Sequence, residues 1–170
     1  MGRRGKLSEE GPTLEPARPG DLQEIFSLLG RADLPGDGLA DHLRTTIVAR
    51  SAGRIVGTAA VEPYGESGLL RSIAVDPSMR GCGLGVQLTR AALDLAMQRD
   101  IRTIYLLTTT AGEFFPRFGF RSISRSEVDP AVQASVEFTS ACCAGAQVMR
   151  MDLDPARTTD GSPGTPPPPM

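Results

Sequence analysis

The chain has 170 residues, 40% of them hydrophobic and 22% charged, and its formal net charge is −2. This length suits one domain with a sizeable core, and the near-neutral charge argues against nucleic acid or an anionic membrane surface as a partner. No apolar run approaches the roughly 18 residues of a membrane-spanning helix, and the first residues lack the apolar core of a signal peptide.

The two ends differ in composition from the middle. Residues 1–11 are dominated by glycine, serine and charge, and residues 154–170 are rich in proline. Neither segment offers enough apolar surface to offset the entropy lost on ordering, so we expect both to be disordered. The folded domain is therefore predicted over residues 12–153.

Hydrophobic periodicity predicts an α+β domain with a mixed, mostly antiparallel sheet of six to seven strands flanked by helices. Strands are expected over residues 13–17, 46–50, 54–61, 69–75, 103–108, 120–124 and 147–153, with a turn over 63–68. A first helix is expected to start at residues 19–21, and further helices are expected over residues 38–44, 83–99, 111–118 and 130–140.

Local signals predict details of the first two helices. Asp21 and Glu24 have the spacing of a capping box, and Asp37 is placed to cap the second helix. The buried stripe of the first helix is expected to comprise Leu22, Ile25, Phe26 and Leu29.

The most informative stretch follows the strand that ends at Val75. It reads Asp-Pro-Ser-Met-Arg-Gly-Cys-Gly-Leu-Gly over residues 76–85, and a helix opens directly from it. Alternate glycines let the backbone turn tightly with its N–H groups outward, and the helix dipole adds positive potential. This predicts a pyrophosphate cradle with Arg80 at its edge, the alternative being a glycine-rich turn without a ligand.

Two better-known glycine motifs do not fit. A dinucleotide fingerprint has the spacing G-x-G-x-x-G, and a P-loop ends in G-K-[ST]. The pattern of Arg80, Gly83 and Gly85 instead resembles the acetyl-CoA loop of the GNAT N-acetyltransferase superfamily, Q/R-x-x-G-x-G/A. The predicted element order is also similar to that of the GNAT fold.

The resemblance implies an acetyl-CoA co-substrate, no metal, and direct transfer in a ternary complex. It implies that the Val75 N–H donates to the thioester carbonyl, a catalytic contribution of the main chain. The cofactor contacts it implies are Ile73, Ala74, Val75, Arg80, Gly81, Cys82, Gly83, Leu84, Gly85, Val86 and Phe115.

Two departures from the family pattern affect the acid and the base. The family tyrosine that would protonate the leaving thiolate corresponds to Phe115, four residues before Gly119, and phenylalanine cannot donate that proton. The usual strand glutamate corresponds to Leu69. Glu62 is our candidate for the general base ahead of Glu66, the alternative being a solvated carboxylate at a strand end.

Three segments, at residues 69–75, 105–110 and 137–142, are similar to the bacterial GNAT proteins associated with arsenic resistance. That likeness implies a small, amino-acid-like amine as the acceptor and a link to arsenicals. By strand alternation, Arg71 points to the same side as Ile73 and Val75, where it could hold a substrate carboxylate or pair with Glu62 or Glu66. Further candidates for substrate contact are Tyr64, Thr108, Thr109 and Thr110.

The cysteines Cys82, Cys142 and Cys143 are an odd set that suits a reducing cytoplasm, where we place the protein. They show no convergent spacing for a metalloid site, and the single histidine, His42, has no partner pattern. A protein or peptide N-acetyltransferase and a non-catalytic acyl-CoA sensor remain alternative functions. The sequence leaves the oligomeric state open, a homodimer included.

Overall fold

The computed structural model describes residues 11–139 and 145–154. Seven strands form one sheet in the order β1-β2-β3-β4-β5-β7-β6, which confirms the predicted α+β class and strand number. Their bounds are β1 Thr13–Pro16, β2 Thr46–Ser51, β3 Arg54–Tyr64, β4 Ser67–Val75, β5 Thr103–Thr108, β6 Arg121–Ile123 and β7 Gln147–Asp152.

Four α-helices lie in the described part of the chain: α1 Leu22–Arg31, α2 Leu84–Gln98, α3 Pro130–Gln133 and α4 Val136–Thr139. Short 3₁₀ turns occupy Pro19–Asp21, Leu39–Thr45, Pro77–Met79, Phe115–Phe118 and Arg125–Glu127. The predicted helices over 38–44 and 111–118 are thus 3₁₀ segments, and that over 130–140 is two short helices, with Ser140 outside the described residues. None of the described helices has the length and apolarity that a bilayer crossing demands.

The chain divides into two compact units. The first comprises residues up to Glu62 together with Leu70–Ala92, and the second comprises Pro63–Leu69 and the chain from Leu93 onward.

The first unit is built on the hairpin of β2 and β3, which pair antiparallel. Its two-residue turn is Ala52-Gly53, with φ of +51° and +78°, the conformation that a tight hairpin requires. β1 adds antiparallel to the outer side of β2. The core of this unit consists of Ile25, Leu28, Leu29, Leu39, Val48, Ile55, Ala60 and Ala74.

Helix α1 corrects two predictions. Phe26, expected in the buried stripe, is 39% exposed, and Leu28 is buried in its place, so the buried face is rotated. The expected capping box does not form, because the Glu24 carboxylate accepts a hydrogen bond from the Ile55 N–H at 2.6 Å. Asp21 instead accepts from the Arg18 N–H at 2.8 Å, at the start of the preceding 3₁₀ turn.

The Asp21 carboxylate also binds Arg50, whose Nη2 donates to it at 2.8 Å, while Arg50 Nε donates to Glu15 at 2.6 Å. Burial by itself would raise the pKa of Asp21. The hydrogen bonds from Arg18 and Arg50 outweigh it and hold the pKa below its ordinary value. These contacts fix the entry to α1 against β1 and β2.

The turn between β3 and β4 is shorter than predicted. β3 continues to Tyr64 and β4 begins at Ser67, so the turn predicted over 63–68 reduces to Gly65 and Glu66. Gly65 takes φ of +67° there, which favours glycine. Glu62 therefore lies inside β3, two residues before its end, rather than at the strand terminus.

In the second unit, β7 pairs antiparallel with both β5 and β6. Its core is formed by Leu69, Tyr105, Val128, Val132 and Val148. The Asp129 carboxylate accepts from the Ala131 N–H at the start of α3, and its other oxygen accepts from the Ser67 hydroxyl at 2.8 Å. That hydrogen bond joins α3 to the first residue of β4.

Candidate active site

The glycine-rich loop after β4 has the local geometry that its sequence predicts. Gly81 and Gly83 have φ of +85° and +82°, a region that disfavours other residues. A Cβ at either position would meet no atom within 4 Å, so these glycines face open space rather than packed protein. Helix α2 begins at Leu84, and its first N–H groups have no intrahelical acceptor. This geometry fits an anionic group such as a phosphate.

Asp76 anchors the start of this loop. Its carboxylate accepts hydrogen bonds from the Ser78 N–H at 3.0 Å and the Ser78 hydroxyl at 2.8 Å. Its backbone N–H donates to the Val56 carbonyl of β3 at 2.8 Å, and Arg31 lies 3.4 Å from the carboxylate. The two Ser78 donors, with a further contribution from nearby arginines, hold the pKa of Asp76 below its ordinary value.

The predicted cofactor residues around this loop differ in exposure. Arg80, Gly81, Cys82 and Gly83 are exposed, Gly85 and Val86 are half-buried, and Leu84 is buried. The Cys82 thiol donates to the Met79 carbonyl at 2.7 Å. At the end of β4, Ala74 is buried whereas Ile73 and Val75 are half-buried.

Glu62 and Arg71 form a buried ion pair on neighbouring segments of the first unit. Arg71 Nη1 donates to Glu62 Oε2 at 2.7 Å, and the side chains are 0% and 2% exposed. Arg71 also donates through Nη2 to the Pro35 carbonyl at 3.2 Å and through Nε to the Ser72 hydroxyl at 3.1 Å. Of the two roles foreseen for Arg71, the structure shows the pairing with Glu62. Glu62 is correspondingly not the solvated carboxylate that we considered.

The alternation assumed for Arg71, Ile73 and Val75 is interrupted by Ser72. This residue has φ of +58° within β4, a left-handed conformation that costs about 1–3 kcal/mol outside glycine. A left-handed residue in a strand breaks the two-residue periodicity of side-chain direction. Arg71 is accordingly fully buried, whereas Ile73 and Val75 are half-buried.

His42 is a site residue that sequence reasoning missed. Its Nε2 lies 3.6 Å from Glu62 Oε1, and its side chain is 23% exposed. The carbonyl of His42 accepts from the hydroxyls of Thr45 at 3.1 Å and Thr46 at 2.9 Å. No pattern links positions 42 and 62, so the only available signal was that His42 is the single histidine of the chain.

The remaining predicted residues lie in the second unit. Tyr64 ends β3 and packs against that unit's core. The Thr108 hydroxyl accepts from the Ala111 N–H at 2.9 Å. Thr108 is half-buried, while Thr109 and Thr110 are exposed.

Phe115 is a buried aromatic residue of the second unit. It is 6% exposed and makes edge-on contacts with Phe114 and Phe120, with ring centroids 5.1 and 5.8 Å apart. These contacts make Phe115 a core aromatic residue. Cys142 and Cys143 lie outside the described residues, and the described ones contain no group of three His, Cys, Asp or Glu side chains that could hold a metal ion.

Comparison with known proteins gives a family match over part of the chain. Residues 42–122 match the family model described as an acetyltransferase (GNAT) domain. Similar curated proteins are amino-acid acetyltransferases, one from Mycobacterium tuberculosis at 33% identity over 81 residues and one from Neisseria meningitidis at 26% over 125 residues. These matches cover 47% and 68% of this chain but only 46% and 29% of the relatives, so the chain spans less than half the length of these two proteins.

Solved structures agree in fold. Rv2747 from Mycobacterium tuberculosis, crystallised with CoA, superimposes with a TM-score of 0.71 at 23% identity, covering 84% of this chain and 99% of that one. N-acetylglutamate synthase from Neisseria gonorrhoeae, in complex with coenzyme A and N-acetyl-glutamate, gives a TM-score of 0.73 at 21% identity, covering 86% and 36%.

Proposed function

We propose that this chain is an acetyl-CoA-dependent N-acetyltransferase for the amine of a small, amino-acid-like molecule, because residues 42–122 match the GNAT domain model and the chain has the GNAT fold. The observation that carries the proposal is the loop at residues 80–85, which lies within the matched segment and has two left-handed glycines in front of α2. The amino-acid acetyltransferases among its relatives support the choice of acceptor.

The loop and the helix N-terminus would hold the pyrophosphate of acetyl-CoA. Gly81 and Gly83 let the main chain approach the phosphates, and exposed Arg80 adds a cation at the edge of the loop. The Val75 N–H would donate to the thioester carbonyl, where negative charge develops during attack. Glu62 would supply the buried carboxylate of the catalytic site.

Because position 115 is phenylalanine, no side chain there can protonate the departing thiolate of CoA. A simple thiol has a pKa near 8.5, so the thiolate is a workable leaving group at neutral pH. General acid assistance is worth about 10²–10⁴-fold, and its absence predicts slow turnover rather than none. Water would supply the proton to the sulfur.

The test is release of free CoA thiol from acetyl-CoA in the presence of single free amino acids, with phosphinothricin included as one further amino-acid-like acceptor. The corresponding N-acetylated amino acids, which have no free amine, serve as matched negative controls. Turnover on one amino acid and not on its acetylated form supports the proposal. Intersecting initial-velocity plots would support direct transfer in a ternary complex.

Two other outcomes separate the alternatives. Turnover restricted to peptides would assign the chain to the protein N-acetyltransferases. Firm acetyl-CoA binding by calorimetry, without turnover on any amine, would contradict the proposal and favour an acyl-CoA sensor.

A further inference from the structure

Three ionisable side chains of the first unit form a continuous series from the interior towards solvent. Arg71 is fully buried, Glu62 is 2% exposed, and His42 is 23% exposed. One oxygen of the Glu62 carboxylate accepts from Arg71 at 2.7 Å, and the other lies 3.6 Å from His42 Nε2. The imidazole is therefore the member of the series that a solute can reach most easily.

The backbone of His42 is held in place by local hydrogen bonds. Its φ of −118° and ψ of +22° interrupt the 3₁₀ segment Leu39–Thr45, and its carbonyl accepts from the hydroxyls of both Thr45 and Thr46. Two donors on one carbonyl fix the orientation of that peptide unit. The imidazole consequently approaches Glu62 from a defined direction.

The segment that leads into His42 also lines a cavity. A volume of about 480 Å³ lies between α1 and residues 34–40, with Phe26, Leu34 and Asp37 among its lining. This is within the usual size range of small-molecule sites. Arg71 ties the segment to the ion pair through the carbonyl of Pro35, which lies in the chain between the lining residues Leu34 and Gly36. An amine in this cavity would therefore lie near the part of the chain that presents His42.

From this arrangement we infer that His42 is the proton acceptor for the attacking amine, with Glu62 and Arg71 as positioning residues. The inference rests on the proposed function and refines the prediction of Glu62 as base. Glu62 faces Nε2, so an Nε2–H directed at the carboxylate leaves the lone pair on Nδ1 to accept a proton. The 3.6 Å separation is longer than a hydrogen bond, and catalytic contacts of this kind commonly tighten when substrate binds.

The ammonium group of the acceptor loses two protons during acetyl transfer. Nδ1 takes one proton from the ammonium group of the acceptor, and the freed lone pair forms the C–N bond to the acetyl carbon. The C–S bond then breaks, and the sulfur of CoA leaves with the bonding pair. The amide nitrogen loses its surplus second proton to solvent, and the imidazolium returns its own proton to solvent before the next turnover.

The experiment uses the full chain and the free amino acid that gives the fastest turnover. His42→Asn is expected to lower kcat by about 10²–10⁴-fold, the range for loss of a general base, with KM for acetyl-CoA unchanged. Asp41→Asn is the matched control, because Asp41 is the exposed neighbour in the same 3₁₀ segment, and it should leave kcat unchanged. His42→Ala should regain turnover with added imidazoles, and the regained rate should rise with their basicity.

A second measurement avoids any variant that fails to fold. Diethyl pyrocarbonate modifies unprotonated imidazole, and this chain has one histidine, so loss of wild-type turnover should follow modification of a single group. A saturating concentration of the amino acid should slow both the modification and the loss of turnover, and hydroxylamine should restore activity. An active wild type with unchanged kcat in His42→Asn, or full activity after modification, overturns the role of His42 alone. A wild type with no turnover on any amine overturns the proposed function and this inference together.

Discussion

Removing Arg71 tests the buried ion pair most directly. In Arg71→Met, the Glu62 carboxylate keeps its 2% exposure but loses the guanidinium at 2.7 Å. Breaking a buried pair by deleting one partner typically costs about 3–5 kcal/mol, because the remaining charge loses its closest compensating charge. The lost hydrogen bonds to the Pro35 carbonyl and the Ser72 hydroxyl act in the same direction. We therefore expect the free energy of unfolding to fall by about 3–5 kcal/mol.

The assay is urea unfolding of the wild type, Arg71→Met, Glu62→Gln and the double variant. The double variant should be more stable than the sum of the two single losses implies, because it removes both charges together. Arg150→Met is the matched control. Its partner Asp152 is 62% exposed at 3.0 Å, and exposed pairs contribute about 0–1 kcal/mol. Equal losses in Arg71→Met and Arg150→Met would refute the reasoning.

Three further outcomes follow from the loop and its supports. Gly83 has φ of +82°, so Gly83→Ala should weaken acetyl-CoA binding and lower the free energy of unfolding by about 1–2 kcal/mol. Gly20 also faces open space but has no positive φ, so the control Gly20→Ala should change neither quantity. Gly57→Ala should cost about 1–3 kcal/mol by overpacking, since its Cβ would lie 2.6 Å from Leu88 Cδ1; an unchanged urea midpoint would contradict this. Asp76 has a lowered pKa, so its stabilising contribution is present above about pH 4 and is lost as pH falls through the folded pKa. In Asp76→Asn, the urea midpoint should therefore fall less steeply as pH is lowered in the acid range. An acid dependence equal to that of the wild type would contradict this role of Asp76.

The sequence predicted the sheet and the glycine loop well because both depend on local patterns. Strand β5 falls at Thr103–Thr108, the predicted range, since its apolar run is bounded by clear breaks. The hairpin turn at Ala52-Gly53 lies in the gap between the predicted strands 46–50 and 54–61. The left-handed glycines 81 and 83 agree with the conformational freedom that the motif requires.

The contacts that assemble the candidate site were not predictable, because they depend on long-range packing. Ser72 gives no sequence sign of its left-handed conformation, so the assumed side-chain alternation of β4 failed at Arg71. Leu28 is buried and Phe26 is exposed, the reverse of the prediction, because the buried face of α1 is set by the strands on which it packs. The approach of His42 to Glu62 depends on β3 passing beside the 3₁₀ segment, which spacing does not encode.

Because of the hydrogen bond from Arg71 to the Pro35 carbonyl, the attachment of the segment 34–40 to the ion pair is independent of the side chains of that segment. The guanidinium reaches the backbone carbonyl of Pro35, so this contact does not depend on the side chains between residues 34 and 40. Those side chains can change while the segment keeps its attachment to the ion pair. Libraries randomised at Leu34, Asp37 and Ala40 could therefore diversify the choice of acceptor while leaving the acid–base groups in place. With the acceptor placed in this cavity, such changes would alter the choice of substrate without altering the ion pair of Glu62 and Arg71.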